Sequence, residues 1–172
     1  MATKQAIAGV APPADSEVTM MIVYPSNAAH PLGRWLGQLF STKLGVPPLT
    51  LGNLLALLTI PVSLALFFGL LWPWAYRRYV LTNRRLIVKR GWRGTDDRWV
   101  KLDGFDDIAI EVLPGQEWYH AGEMIFKKGA VETFRISGVP RPEPFRQTCL
   151  KAHRAYVSVE EVTRRQAKLV TV

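Results

Sequence analysis

The sequence is poor in cysteine and lacks the short motifs by which many enzymes and nucleotide-binding proteins are recognised. Its single cysteine, Cys149, cannot form an internal disulfide, and no CxxC pair or cysteine–histidine spacing typical of a zinc site is present. No GxGxxG or P-loop pattern occurs among its 13 glycines. The sequence therefore predicts no cofactor, and it disfavours structural zinc, a disulfide scaffold and nucleotide binding.

Charge is absent from a long central stretch. Residues 44–76 are 33 consecutive positions without Lys, Arg, Asp or Glu. The 26 residues 49–74 would be roughly 39 Å long as one helix, which exceeds a hydrocarbon core of roughly 30 Å. We therefore expect residues 49–75 to form one transmembrane helix. Its end carries aromatic residues typical of interfacial anchors, namely Trp72, Trp74 and Tyr76.

Two topologies fit this stretch. A single span, with the positively charged side inside, puts the carboxyl-terminal part in the cytoplasm and the amino terminus outside. Pro61 divides the stretch into two short pieces, so a re-entrant hairpin with both ends cytoplasmic is the alternative. The exposed backbone of a hairpin tip is costly in lipid, which favours the single span. Labelling of a reporter cysteine near residue 10 from outside the cell would establish that span.

The segment before the apolar stretch divides into two parts. Residues 1–16 are rich in Ala and Pro and predict a flexible leader, without the apolar region of a signal peptide. Residues 17–48 predict an extended segment, "EVTMMIVYPS", and then a short amphipathic helix, "PLGRWLGQLF". The apolar spacing of that helix fits a membrane-interface helix anchored by Trp35, and it fits a helix packed on the protein equally well.

Basic residues follow the apolar stretch. Nineteen of the 22 Lys and Arg residues lie after it, with 12 of the 14 acidic residues. This excess favours an anionic neighbour, and beside a membrane segment an anionic lipid surface is the simplest one. A cluster without intervening acids forms the candidate lipid-binding surface: Arg77, Arg78, Arg84, Arg85, Lys89, Arg90 and Arg93. The alternative is that these charges only set the topology and solvate the strands.

The pattern changes after residue 76. "RYVLTNRRLIVKRGW" predicts two strands joined at Thr82-Asn83-Arg84, and "GTDD" predicts a further turn. "RWVKL", "IAIEVLPG", "GEMIFKKG" and "VETFRIS" are short strand candidates typical of an antiparallel sheet or partial barrel. The run "FRQTCLKAHRAYVSV" then predicts a helix that covers the sheet with one face: Phe145, Cys149, Ala152 and Tyr156.

These motifs resemble those of bacterial pleckstrin-homology-like (PH-like) membrane proteins. "YVLTNRRLIVKRGW" is similar to the family's junction after its last membrane segment, and "GVPRPEPFRQTCL" to its entry into the final helix. "MMIVYPSNAAHP" resembles its amino-terminal motif, although family members commonly carry two transmembrane helices and only one long apolar stretch follows here. The resemblance covers residues 76–158 and implies a PH-like domain there, with residues 159–172 as a tail.

Catalytic chemistry has weak support in the sequence. Asp96, Asp97, Asp103, Asp106 and Asp107 lie in turn-like clusters, where Asp commonly accepts local backbone hydrogen bonds. "EWYH", which ends in His120, fits an aromatic-lined ligand pocket, but loop packing is the more frequent role of such residues. A deep pocket in which Asp103, Asp107 and His120 converge would revive the enzyme hypothesis.

The predicted architecture is a membrane-anchored α+β protein, in which one transmembrane helix precedes a PH-like antiparallel sheet closed by a carboxyl-terminal helix. The predicted function is non-catalytic binding or scaffolding at the inner face of the plasma membrane, with the domain cytoplasmic and anionic headgroups as partners. The alternative is a protein-interaction or self-assembly module without headgroup recognition. Nucleic-acid binding is disfavoured, because no exposed aromatic platform alternates with the basic residues.

Overall fold

The structure, a computed structural model, describes residues 16–42, 45–46, 49–70 and 76–170. The strands are β1 Thr19–Val23, β2 Gly45–Val46, β3 Leu49–Thr50, β4 Arg77–Thr82, β5 Arg85–Arg90, β6 Thr95–Lys101, β7 Asp107–Glu111, β8 Ala121–Lys128 and β9 Val131–Pro140. The helices are α1 Pro31–Phe40, α2 Leu51–Leu58, α3 Ile60–Leu70 and α4 Pro142–Val170. Residues 1–15 of the predicted leader, Trp72 and Trp74 lie outside the described residues.

Two antiparallel sheets form the domain. One has the strand order β1-β4-β5-β6 and the other β7-β8-β9, while β2 and β3 make a small separate hairpin. The strands predicted after residue 76 are confirmed. The predicted turn at "GTDD" is wrong: the chain turns at residues 91–94, where Gly91 and Gly94 adopt φ angles of 72° and 68°, and Thr95 begins β6. Positive φ favours glycine, so these two glycines determine where the turn lies.

The core lies between the two sheets and α4. It contains Leu81 and Leu86 from the first sheet, Phe126 and Ile136 from the second, and Phe145 from α4. The hydroxyl of Tyr79 also donates a 2.7 Å hydrogen bond to the carbonyl oxygen of Ser137, which joins the two sheets. An antiparallel sheet framework closed by a carboxyl-terminal helix fits the predicted PH-like fold.

Helix α4 covers the sheets as the sequence predicts. Phe145, Cys149 and Ala152 are buried and Tyr156 packs against them, so the predicted face is confirmed. Arg146 extends the contact, because its Nε donates a 2.6 Å hydrogen bond to the carbonyl oxygen of Ile108. The helix continues to Val170, well past the sheet. Its last turns therefore project away from the core.

The strand β1 joins the sheet from the amino-terminal side of the apolar helices. It pairs antiparallel with β4, with Ile22 opposite Val80 and Val23 opposite Tyr79. The segments before and after α2 and α3 therefore lie in one sheet, on the same side of any membrane. A single crossing that places them on opposite sides is incompatible with this pairing, and the folded unit extends upstream of residue 76.

Helix α1 docks on the protein through two glycines. A Cβ atom at Gly37 would lie 2.0 Å from the carbonyl oxygen of Gly115, and one at Gly33 would lie 2.0 Å from that of Asn27. Real Cβ atoms do not approach backbone this closely, so only glycine permits the contact. On the opposite face Leu32 and Trp35 are 51% and 58% exposed. The helix is thus packed on the protein along one side and open along the other.

The apolar stretch is broken rather than continuous. Helix α2 ends at Leu58 with Thr59 as its C-cap, and α3 begins at once with Ile60 and Pro61. No described helix is by itself long and apolar enough to cross a bilayer, whereas Leu51–Leu58 and Ile60–Gly69, bent by 58°, meet that length and composition together. The predicted single helix over residues 49–75 is therefore not what the structure shows.

The bend keeps its polar backbone groups bonded. The Thr59 hydroxyl donates to the carbonyl oxygen of Leu55 at 2.8 Å, and the Thr59 N–H bonds back into α2. The Ser63 N–H in turn donates to the Thr59 carbonyl oxygen at 2.9 Å. Pro61 has no N–H to satisfy. The break at Thr59 therefore adds few unsatisfied groups to an apolar environment.

The β1–β4 pairing predicts that both flanks of the apolar helices are accessible from the same side of a membrane. Met20 in β1 is 48% exposed and Val131 in β9 is 67% exposed. We expect Met20→Cys and Val131→Cys to behave alike towards a membrane-impermeant maleimide. Both should react in one preparation, intact cells or inverted vesicles, and neither should react in the other. The natural chain is the background control, because its Cys149 is buried. Labelling of the two positions from opposite sides would contradict the pairing.

Candidate functional site

The β4–β5 register divides the predicted basic cluster into two groups. Arg77 lies opposite Arg90, and Arg78 lies opposite Lys89. With Arg93 in the adjoining turn, these side chains form the basic end of the sheet, next to Tyr76 where the chain returns from α3. Arg84 and Arg85 lie at the other end of the hairpin, roughly 20 Å from Arg77 and Arg90 along strands that rise roughly 3.3 Å per residue. The side chains of Arg85 and Lys89 nevertheless both contact Asp96, at 3.6 and 3.4 Å.

Arg85 belongs to the contacts that hold β1 in place. Its Nε donates to Glu17 at 2.8 Å, and its guanidinium lies 5.7 Å from the ring centre of Trp99. The neighbouring Asn83 accepts a 2.9 Å hydrogen bond from the Val18 N–H and donates a 3.0 Å bond to the Ser16 carbonyl oxygen. The Thr-Asn-Arg-Arg turn thus binds the incoming amino-terminal segment, a structural role that the sequence did not reveal.

The basic end of the sheet presents several cations to solvent. Arg77, Arg90 and Arg93 are exposed, whereas Arg78 is half-buried and its guanidinium lies against Gly94. Lys89 is partly neutralised by Asp96 at 3.4 Å. Three exposed cations of the predicted cluster therefore lie at the end of the sheet nearest α3, while Arg84 is exposed at the other end.

A cavity of about 530 Å³ adjoins this basic end. It lies between the end of β1, the 3₁₀ turn Asn27–Ala29, α3 and the start of β4. Its lining residues are Tyr24, Pro25, Ser26, Asn27, Ala29, His30, Phe67, Tyr76, Arg77 and Tyr119. Aromatic rings thus form much of the wall, with a few polar groups among them, a composition typical of ligand sites.

The polar groups of this cavity are partly desolvated. Burial, and then the positive charge of Arg77, lowers the pKa of His30, so its imidazole is neutral at neutral pH. Burial also raises the pKa of the Tyr119 phenol, which stays protonated. The Ser26 hydroxyl oxygen is shielded from solvent and has no hydrogen-bond partner among the described residues. The cavity therefore offers neutral hydrogen-bonding groups beside one cation.

A second cavity of about 440 Å³ continues beneath the apolar helices. It shares Asn27 and Tyr119 with the first, and its other lining residues are Phe40, Asn53, Ala56, Leu57, Ile60, Ser63 and Trp118. Trp118 also packs against Phe40, with ring centres 4.9 Å apart. Trp118 and Tyr119 of the predicted aromatic pocket thus line a cavity. His120 lines neither cavity and lies in the following turn, with a φ of 50°.

The carboxylates serve local structure. Asp106 accepts the Gly129 N–H at 2.9 Å, and Asp107 lies 3.8 Å from Arg146. Neither Asp103 nor Asp107 lines either of the two cavities. Within the part of the chain that the structure describes, no three His, Cys, Asp or Glu side chains are grouped so that they could hold a metal ion. These observations give the enzyme hypothesis no support.

Comparison with known proteins agrees with the fold. Residues 32–153 match the model of the bacterial PH domain family. The chain belongs to this family. No curated protein and no solved structure gives a significant match. The match begins within α1 and includes α2 and α3, so the upstream helices are part of what this bacterial PH domain protein shares with its family.

Sequence reasoning missed the cavity of this bacterial PH domain protein. Six of the lining residues come from the segment "YPSNAAH" before α1, namely Tyr24, Pro25, Ser26, Asn27, Ala29 and His30. From the sequence alone, that segment is recognisable only as a family motif. Its residues reach the start of β4 because β1 pairs with β4, a contact between positions far apart in the chain. The motif was the available signal, but no local pattern predicted its partner.

The contact between Glu17 and Arg85 predicts a pH-dependent contribution to stability. The hydrogen bond from Arg85 holds the pKa of Glu17 below its ordinary value of 4.5. The stabilisation is therefore complete above that ordinary value and is lost as the pH falls through the lower native pKa. We expect Glu17→Gln to lower the free energy of unfolding at about pH 7 by at most about 1 kcal/mol, because the pair is partly exposed.

The measurement is chemical unfolding of the full chain in uncharged detergent, at about pH 7 and about pH 3. The difference between natural chain and variant should close at the lower pH. Glu160→Gln, which breaks the exposed 3.1 Å pair with Arg164 in α4, is the matched control and should change little. A Glu17→Gln effect of equal size at both pH values would contradict the assigned role.

Proposed function

We propose that this bacterial PH domain protein is a non-catalytic binding module held on the inner face of the plasma membrane by α2 and α3. The observation that carries the proposal is the exposed apolar surface of this bent helix pair. Nine of its large apolar side chains are each at least 44% exposed: Leu51, Leu54, Leu57, Leu58, Ile60, Val62, Leu64, Phe67 and Phe68. An apolar surface of this extent is rare in soluble monomers and typical of contact with a membrane or a partner.

The geometry favours helices that lie in one leaflet. The Gly52 backbone of α2 packs so closely on α1 that a Cβ atom there would lie 2.2 Å from the Phe40 carbonyl oxygen. At the other end, Phe67 of α3 reaches the cavity beside Tyr76. Both ends of the bent pair are therefore held against the domain, while its outer side stays apolar. Interfacial helices bind membranes through such a face.

The charge distribution supports the same orientation. The basic end of the sheet follows α3 with few intervening residues, so apolar helices immersed in a leaflet would bring these cations to the headgroup layer. Each Lys or Arg near an anionic surface contributes about 1 kcal/mol of attraction. Anionic lipids of the cytoplasmic leaflet are the corresponding partner, and Leu32 and Trp35 on the open side of α1 add apolar contact.

The proposal predicts that the turn at residues 91–94 contacts anionic lipid. We expect an environment-sensitive fluorophore attached at Trp92→Cys to shift to the blue when the full chain is bound to vesicles that contain phosphatidylglycerol. Vesicles of phosphatidylcholine alone should give a smaller shift, and salt should reduce the difference. Cys149 should stay unlabelled, because burial raises the pKa of its thiol to about 12.

Two pairs of substitutions test the role of charge. Arg90→Gln with Arg93→Gln should weaken the lipid contact of the turn, by about 1 kcal/mol for each cation. Lys151→Gln with Arg154→Gln removes the same charge from the exposed side of α4 and should leave the shift unchanged. A label that is equally hydrated on both kinds of vesicle, or a chain that does not float with vesicles at all, would contradict the proposal.

The projecting part of α4 favours a second candidate, a protein-interaction or self-assembly module. Val157, Val159 and Val162 are 40%, 64% and 54% exposed on a helix that has left the sheets. Unpartnered apolar side chains on a long helix suit a second protein chain. Native mass spectrometry of the full chain should then show a defined oligomer that Val159→Lys and Val162→Lys disrupt. A monomer at every concentration tested would count against self-assembly.

A further inference from the structure

We propose that the cavity beside Arg77 binds the phosphate-bearing headgroup of an anionic phospholipid, with an acyl chain directed into the second cavity under α2 and α3. This inference rests on the membrane location proposed above and assigns a specific lipid site to it. It differs from the contact of the basic end with the lipid surface, because the cavity would enclose one molecule with a defined stoichiometry.

The size and wall of the cavity fit such a ligand. Its volume of about 530 Å³ falls within the usual range of roughly 300–1,000 Å³ for small-molecule sites. Tyr24 and Tyr76 form one side, with ring centres 5.9 Å apart, and Tyr119 forms another. Tyrosine rings present an apolar body and a polar hydroxyl edge, which suits the boundary between a headgroup and its chains.

The charge inside the cavity selects an anion. Among the described residues that line the cavity, Arg77 is the cation and none is a carboxylate. Arg guanidinium groups recognise phosphate oxygens through paired hydrogen bonds. Ser26 and His30 also line the cavity, and the Ser26 hydroxyl oxygen has no hydrogen-bond partner among the described residues.

The apolar part of the ligand follows from the second cavity. The two cavities are neighbours that share Asn27 and Tyr119 as lining residues, and the second is also lined by Leu57 and Ile60 from the bent helix pair. Phe67, half exposed on α3, lines the first cavity from the membrane side. A molecule with an anionic head and a hydrocarbon chain can therefore occupy both volumes, whereas a free phosphate would fill only part of the first.

The experiment measures lipid binding to the full chain in uncharged detergent by native mass spectrometry. The probes are dihexanoyl phosphatidylglycerol, dihexanoyl phosphatidylcholine and glycerol 3-phosphate. We expect one phosphatidylglycerol per chain, bound at least about tenfold more tightly than either other probe. Equal binding of glycerol 3-phosphate would overturn the lipid assignment in favour of a soluble phosphate compound. Equal binding of the two lipids would overturn headgroup selection by charge.

Matched variants locate the site. Arg77→Gln should weaken phosphatidylglycerol binding about tenfold, whereas Arg154→Gln, the same change on α4, should not. Phe67→Ala should weaken it too, whereas Phe68→Ala removes a neighbouring ring that does not line the cavity. Equal effects within each pair would overturn the inference. Vesicle flotation, measured in parallel, separates the two proposals. A chain that floats with vesicles but shows no selective lipid binding would support the proposed membrane location and overturn the lipid site.

Discussion

The pairing of β1 with β4 is the contact on which the rest of the structure depends. It joins residues on either side of the apolar helices, with Thr19 opposite Thr82. It is secured by side chains of the β4–β5 turn, which bond the backbone at Ser16 and Val18 and the carboxylate of Glu17. Because the strand is held at this edge, the loop that follows it reaches the start of β4 and encloses the first cavity.

Because of the same pairing, the chain leaves the sheet after β1, forms α1, α2 and α3, and returns to the sheet at β4. Close packing at Gly33, Gly37 and Gly52 holds α1 and the start of α2 on the domain. The bend at Thr59 then allows the apolar helices to follow the domain surface while their backbone stays bonded. The apolar surface of α2 and α3 therefore lies next to the basic end of the sheet.

Much of the domain could be predicted because its signals are local. Short apolar runs bounded by charged residues or glycine located β5 and β8, and the spacing of Phe145, Cys149 and Ala152 located the covering face of α4. The prediction of one long helix was wrong, since a continuous apolar run has the same composition whether it crosses a bilayer or lies along a protein. The bend depends on Pro61 and on the Thr59 hydroxyl, whose bonding partners only the folded chain displays.

The candidate site was predicted less completely for a related reason. Composition grouped seven cations into one cluster, but strand register places Arg84 and Arg85 at the opposite end of the hairpin from Arg77 and Arg90. The cavity unites a motif near residue 26 with Phe67, Arg77 and Tyr119, and such long-range proximity follows from sheet pairing rather than from spacing. The family resemblance anticipated the fold, which the family match over residues 32–153 confirms.

The separation of β1 from its partner also constrains how the protein is made. At about 5–20 residues per second, β4 is synthesised roughly 3 to 12 seconds after β1. During that interval the most apolar part of the chain is translated, while β1 still lacks its neighbour. In the membrane location that we propose, the nascent amino-terminal segment would have to stay on the ribosome's side of the membrane until the returning strand arrives. That location would require an insertion route that admits the helices without translocating what precedes them.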